Sequence, residues 1–299
     1  WDLAANYDAS RQLVIEGTLN DGLPLFVGFN EHGTAVAGLI AAARNGIGGV
    51  GVAYEAGLTS VRVLGGADDL STQFPRYLLT LDHLSDFDVT NHSYGSLPTF
   101  VVDQDQARFA AAAESGRNGL GTVMVYASGN NNTDANGEQI GVLRQTVTVG
   151  AVEADGQVSP YANYGANLLV TAPASSVTTD LLGNGVGRDG LLGGDYTDNF
   201  GGTSGSTPVV TGVVALMLSA NPGLGWRDVQ NILALSATGT GSLYGGPDTN
   251  ENAVWAWNGD THWNGGGQHF SADYGYGLVN AFNAVRLSEA LKALTRPYP

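Results

Sequence analysis

A chain of 299 residues with 43% hydrophobic content is long enough to bury one large or two ordinary cores without staples. Its 28 acids against 12 bases leave a net charge of −16, which repels a phosphate backbone or an anionic membrane at long range, argues against a nucleic-acid partner and suits divalent cations. No cysteine occurs, so disulfides, thiolate zinc sites and thiol catalysis are excluded together.

The chain opens at Trp1 without a methionine or a charged leader and reads as a processed or trimmed polypeptide, with something preceding it in the gene. Residues Gly33 to Ala43 predict the first helix. Its small residues, among them Ala35, Ala37, Gly38, Ala41 and Ala42, let it lie very close to a sheet. His32 at its start is either the ordinary opening of a buried helix or a base held rigidly. A buried strand is expected over Leu58 to Leu64, a helix over Gln73 to Leu84, a strand over Asp88 to Ser93 and a helix over Asp105 to Ser115. Strands over Thr122 to Ala127, Thr146 to Val152 and Leu168 to Ala172 follow. The glycine-rich stretch Gly183 to Gly202 has no strict repeat period and reads as a surface loop without regular structure. Helices over Ser204 to Ser219, Asp228 to Ala237 and Leu278 to Leu294 close the pattern. The longest apolar run, Val209 to Leu218, contains Thr211 and Gly212 and is far shorter than the roughly 20 residues of a membrane span, so no membrane is expected as a partner.

Strands alternating with helices predict right-handed βαβ units. The fold class is therefore α/β, doubly wound, with a mostly parallel central sheet and helices on both faces. Ligands then sit at the carboxyl ends of the strands. No internal repeat or composition break marks a second domain, so residues 1–294 read as a single domain and 295–299, "TRPYP", as a tail or the start of a linker.

Four segments carry chemistry-bearing residues: His32-Gly33-Thr34, Asn91-His92-Ser93-Tyr94-Gly95, Ala127-Ser128-Gly129-Asn130, and "GGTSGSTPVVTG" from Gly201 to Gly212. Each ends a predicted strand or starts a predicted helix, so all four can converge on one sheet edge. In this order they resemble the blocks of subtilisin-like serine peptidases. "WDLAANYD" at the start, "NGIGGVGVAYEA" from Asn45 and "YGYGLVNA" from Tyr274 are similar to the kexin and proprotein-convertase branch, so nearly the whole chain is covered.

The resemblance implies a secreted or periplasmic, monomeric, calcium-stabilised endopeptidase acting on extended polypeptides, with a seven-stranded parallel core. It implies Ser204 as nucleophile at a helix start, where backbone N–H groups favour developing negative charge; Ser206 is the weaker assignment. His32 would be the general base and later acid, and Asn130 the oxyanion donor. Ser93, Tyr94 and Gly95 match the segment that pairs with the substrate backbone, and Ser128 and Gly129 are counted with them as substrate-binding. Ala42, Asn45, Ile47 and Gly49, with Asp2 as the carboxylate, match the calcium loop of the family. Plain turns, caps and strand ends are the ordinary readings of the same residues. His83 and His92 read as structural, and Asp260, His262 and His269 as a minor metal alternative.

Two departures matter. Relatives that cut after paired basic residues carry acids where this chain has Ser96 to Thr99 and Asn136, which puts strict dibasic specificity in doubt, although Asp134 and Glu138 lie nearby. The catalytic aspartate of the family lies upstream of the one matched by Asp2 and falls before Trp1. The chain is therefore expected to lack its N-terminal strand, with a preceding segment carrying that aspartate as part of the active material. The alternative is a catalytically impaired module that binds peptides without efficient cleavage.

Overall fold

The structure, a computed structural model, describes residues 1–13, 24, 30–63, 70–95, 103–183, 187, 194–242, 250–259 and 267–294. They fall into two compact units: Trp1–Leu84 with Ser175–Phe200, and Ser85–Ala174 with Gly201–Pro299.

The larger unit is built on four parallel strands, β1 (Val89–His92), β2 (Val123–Ala127), β3 (Thr146–Val152) and β4 (Leu168–Pro173), adjacent in that order. Every residue of β2 and β3 is buried, as expected for central parallel strands covered on both faces; VMVYA is apolar throughout, and in TVTVGAV even the threonines that alternate with valines are covered. Parallel neighbours need a crossover, and helical residues between 103 and 115 supply it between β1 and β2. That helix ends where Gly116 turns extended and Arg117 and Asn118 enter the left-handed region, at φ 50° and 58°. The turn is held by the Arg117 guanidinium, which donates to the carbonyls of Pro222 and Leu224, both at 2.8 Å.

A long helix, Thr203–Ala220, packs against all four strands. It is apolar and long enough to cross a membrane by composition, yet 67% of it is buried inside the fold, which makes it a core helix. Two amphipathic or partly apolar helices, Trp226–Ser236 and Ala281–Leu294, pack on each other, and the second also packs on the core helix.

In the smaller unit, the predicted first helix forms over His32–Ala41 and a second over Leu70–Asp82. Two expectations fail here. Over 58–63 the chain forms no strand: Leu58 pairs in parallel with Tyr7 and the following described residues join no ladder, because a strand needs a hydrogen-bonding neighbour and none of the described residues offers one. Leu64 lies outside the described residues. Conversely, the stretch read as irregular contains a strand, Tyr196–Phe200, paired antiparallel with Ser176–Thr179. Its sequence, YTDNF, lacks the apolar alternation that announces a strand.

Candidate active site

In the larger unit, β1 and β2 run in register, Val89 opposite Val123 and His92 opposite Tyr126, so the residues after them leave the sheet at the same carboxyl edge. Ser93 follows β1 and Ser128 follows β2. The start of the core helix meets Ser93 through two hydrogen bonds: Ser204 Oγ donates to the Ser93 carbonyl at 3.3 Å, and Ser93 Oγ donates to the Ser204 carbonyl at 3.1 Å.

The second bond has a covalent cause. Ser204 lies four residues before Pro208, whose missing N–H leaves the Ser204 carbonyl without its helical partner. Pro208 thus opens an acceptor for Ser93, rather than sitting where a lost N–H has no effect. Asn91 completes the arrangement: its Nδ2 donates to Ser93 Oγ at 2.9 Å, and its Oδ1 accepts from Thr211 Oγ1 at 2.9 Å. The Asn91 role went unassigned in the sequence, although the residue opens one of the four blocks.

Beside Ser93, His92 is buried against Phe109 and Tyr126 and lies 2.7 Å, Nδ1 to hydroxyl, from Tyr94. Burial pushes the His92 imidazole down to about 4. The ring is therefore neutral around pH 7, in keeping with a structural histidine. Gly95 is exposed.

Asn130 is exposed, but its side chain is fixed. Its Oδ1 accepts from the Thr203 backbone N–H at 2.9 Å and from Thr203 Oγ1 at 3.0 Å, which directs the amide by its acceptor and leaves Nδ2 as the donor. Thr203 Oγ1 also accepts from the Gly129 N–H at 3.2 Å. Gly202, at φ 77°, leaves room for the amide: a Cβ there would stand 3.1 Å from Asn130 Nδ2. The strand-end loop and the helix start are thus one hydrogen-bonded piece.

Glu138 lies close by. It is 4% exposed, its Oε2 makes no hydrogen bond among the described residues, and its Oε1 is 3.5 Å from where a Gly129 Cβ would be. Burial raises its carboxyl above the usual range. Asp134 and Asn136 are exposed, and each is engaged in the turn: Asp134 Oδ1 accepts from the Asn136 N–H at 2.8 Å, and Asn136 Oδ1 from the Ala166 N–H at 3.0 Å. The buried acid is therefore two residues beyond the position matched in the sequence. Ser96 to Thr99 lie outside the described residues.

The smaller unit holds His32 as the first residue of its helix, edge-on to Phe200 with ring centres 5.2 Å apart. The hairpin strand Ser176–Thr179 bolts that helix down. Thr178 Oγ1 donates to the Ala35 carbonyl and Thr179 Oγ1 to the Thr34 carbonyl, both at 2.7 Å, and Gly38 permits the approach: its Cβ would lie 2.3 Å from Thr179 Oγ1.

At the other end of the helix, the Ala43 N–H donates to the Asp2 carbonyl at 2.8 Å, Asn45 Nδ2 to Asp2 Oδ1 at 3.0 Å, and the Ile47 N–H to Asn45 Oδ1 at 2.9 Å. The Ala42 carbonyl accepts the Gly51 N–H at 2.9 Å. Asp2 is 1% exposed and its Oδ2 makes no hydrogen bond among the described residues. The Tyr196 phenol is raised by burial and then by the neighbouring Asp2 carboxyl, and its ring lies over Gly48, whose Cβ would fall 2.2 Å from it. Among the described residues no three His, Asp or Glu side chains gather as metal ligands, so a cation here would depend on carbonyls with one carboxylate. Of the minor metal alternative, Asp260 and His262 lie outside the described residues, while His269 sits against Trp255 and Trp257.

A parallel sheet with a serine-bearing helix start and a fixed amide at its carboxyl edge defines the class: the chain belongs to the subtilase family, whose model matches residues 2–277. It is 32% identical over 312 residues to proprotein convertase subtilisin/kexin type 5 of Branchiostoma californiense, covering 97% of this chain and 17% of that one. To the endoprotease bli-4 of Caenorhabditis elegans it is 32% identical over 303 residues, covering 98% and 30%. The chain thus spans well under half the length of these relatives. Among solved structures, the serine protease of Aeromonas sobria in complex with the chaperone ORF2 superposes with a TM-score of 0.80 at 25% identity, covering all of this chain and 58% of that one. The fold is accordingly the doubly wound α/β arrangement that the alternation of strands and helices predicts.

Proposed function

We propose that this chain is the catalytic part of a serine endopeptidase that hydrolyses peptide bonds in extended polypeptides. Ser204 Oγ attacks the scissile carbonyl while His32 accepts its proton. The tetrahedral oxyanion is stabilised by Asn130 Nδ2 and the Ser204 backbone N–H, and its collapse sends the proton from His32 to the leaving amine. Water then attacks the acyl carbon, His32 taking its proton, and collapse breaks the bond to Ser204 Oγ, releasing the acid while His32 returns the proton to that oxygen. Ser93, Tyr94 and Gly95 would pair with the substrate backbone as an added strand, with Ser128 and Gly129 lining the opposite wall.

The single observation that carries this reading is the Thr203–Asn130 pairing, which presents an amide donor beside a serine at a helix start. Glu138 supports a finer statement: a buried carboxyl under Gly129, with an oxygen that makes no hydrogen bond among the described residues, suits a basic side chain just before the cleaved bond. Asp2 Oδ2, buried in the same condition beside a carbonyl-rich turn, fits a calcium ion held with Ala42, Asn45, Ile47 and Gly49. Calcium would supply positive charge and tie that turn; it takes no part in bond cleavage.

A fluorophosphonate probe tests the assignment. Mass spectrometry should find the adduct on Ser204, and Ser204→Ala should lose both labelling and peptide cleavage, by about 10⁶-fold in turnover, while melting as the parent does. Labelling elsewhere, or cleavage retained in Ser204→Ala, removes the nucleophile; a folded parent with neither activity is instead a peptide-binding module.

A further inference from the structure

We propose that Asn163 is a positioning residue for the oxyanion amide, an inference that rests on the role of Asn130 given above. Asn163 is 1% exposed and does not touch the Asn130 side chain through any described hydrogen bond. It holds the peptide on both sides of it. The Asn163 N–H donates to the Gly129 carbonyl at 3.0 Å, and its Oδ1 accepts from the Asn131 N–H at 2.9 Å. The same oxygen takes the Thr133 N–H at 3.1 Å and Thr133 Oγ1 at 3.3 Å.

The backbone between these anchors needs restraint. Gly129 stands at φ 102° and Asn132, which has a side chain, at φ 48°, so two residues of the loop flanking Asn130 occupy the left-handed half of conformational space. A free strand-end loop would relax out of that shape. Asn163 prevents it by filling the inside of the turn, and it does so at close quarters: a Cβ on Gly129 would be 2.4 Å from Asn163 Nδ2.

Two further contacts extend the frame to the nucleophile. The Asn132 N–H donates to the Tyr161 carbonyl at 2.8 Å, and the Tyr161 hydroxyl accepts the Gly202 N–H at 3.2 Å. One short segment, 161–163, therefore fixes the loop carrying the amide and the residue two before Ser204. Catalysis by a preorganised donor depends on its placement, and a misplacement of about 1 Å can cost about 10²-fold.

The test is a cycle of variants in the full chain, assayed on a peptide substrate with kcat and KM separated. Asn163→Ala should lower kcat by about 10²-fold with KM within about threefold of the parent. In an Asn130→Ala background the same substitution should cost less than about threefold more, because the amide it positions is gone. Asn163→Asp, which keeps an acceptor for the three donors, should recover most of the loss. If Asn163→Ala does not fold, Asn163→Ser, too short to reach the same donors, takes its place in the cycle. Losses that add fully, a loss carried by KM, or Asn163→Asp as slow as Asn163→Ala would overturn the inference. Unchanged turnover in Asn130→Ala would instead sink the oxyanion reading while leaving the loop contacts as they are.

Discussion

The two units secure their chemistry by different means. Around Ser204 the polar groups answer one another in two hydrogen-bonded sets, Thr211–Asn91–Ser93 reaching the Ser204 carbonyl and Thr203–Asn130, and Pro208 frees the one acceptor that the helix itself would have used. Around His32 the helix is held by Thr178, Thr179 and packing, and its far end rests on Asp2, a buried carboxylate with one oxygen left over. An internally satisfied network is insensitive to solution conditions, whereas a buried charge without a partner invites one from solution. Changes to the hydrogen-bonded groups around Ser204 should therefore appear in turnover, and changes at the Asp2 turn in stability and ionic dependence.

The largest test of that division is Gly202→Ala. The new Cβ is strained at φ 77° and meets the Asn130 amide, so kcat should fall by about 10²- to 10³-fold, the scale of losing an oxyanion donor, while the strain of about 1–3 kcal/mol lowers the melting temperature by only a few degrees. Parent-like kcat would show that the lock on Asn130 is not catalytic.

Glu138→Gln comes next. Preference for a basic over an apolar residue before the cleaved bond should drop by about 30-fold in kcat/KM, as expected when one partner of a buried charge pair is neutralised. The variant also has a stability signature. Because burial raises the folded pKa of Glu138, the fold binds a proton more readily than the unfolded chain, and ionisation opposes folding as pH rises through the shifted value. The glutamine protein should gain stability relative to the parent at neutral pH, and the gain should shrink in acid. Equal preference in both proteins removes Glu138 from specificity.

In the smaller unit, chelation should lower the melting temperature by roughly 5 °C, since a ligand bound only by the native state stabilises it by about 3 kcal/mol at a hundredfold excess over Kd. Calcium should reverse the change. A melting curve indifferent to chelator takes the ion out of the account and leaves the Asp2 side chain to its hydrogen bond from Asn45.

The effect confined to acid belongs to His92. Its folded pKa of about 4 lies below the ordinary value of 6.5, so between those values the unfolded chain takes up a proton that the fold refuses. Stability should decline as pH falls through that window, and His92→Gln should flatten the decline. Parallel melting temperatures for the two proteins from pH 7 to pH 4 would contradict this.

Much of this was legible in the sequence because apolar runs and helix starts have local causes. The strands at 89–92, 123–127, 146–152 and 168–173 and the helices carrying His32 and Ser204 lie within a few residues of their predicted bounds. What stayed hidden depends on partners distant in the chain. Leu58 to Leu64 looks like a strand, but its described part, 58–63, pairs at one residue; Tyr196–Phe200 looks like loop but finds Ser176–Thr179. Asn163 is one more asparagine in a turn, and only its three donors, 30 to 32 residues away, distinguish it. Glu138 was visible as an acid near Asn130, but its burial was not.

The Tyr196 ring above Gly48, near the Asp2 carboxyl, has an optical consequence. A phenol's ultraviolet absorption shifts with the charge and hydrogen bonding at its oxygen, so this side chain is a chromophore attached to the turn. Any cation drawn to Asp2 alters the field at that hydroxyl, and a difference spectrum recorded during a metal titration would follow occupancy without label or substrate. The same spectrum in Tyr196→Phe supplies the blank.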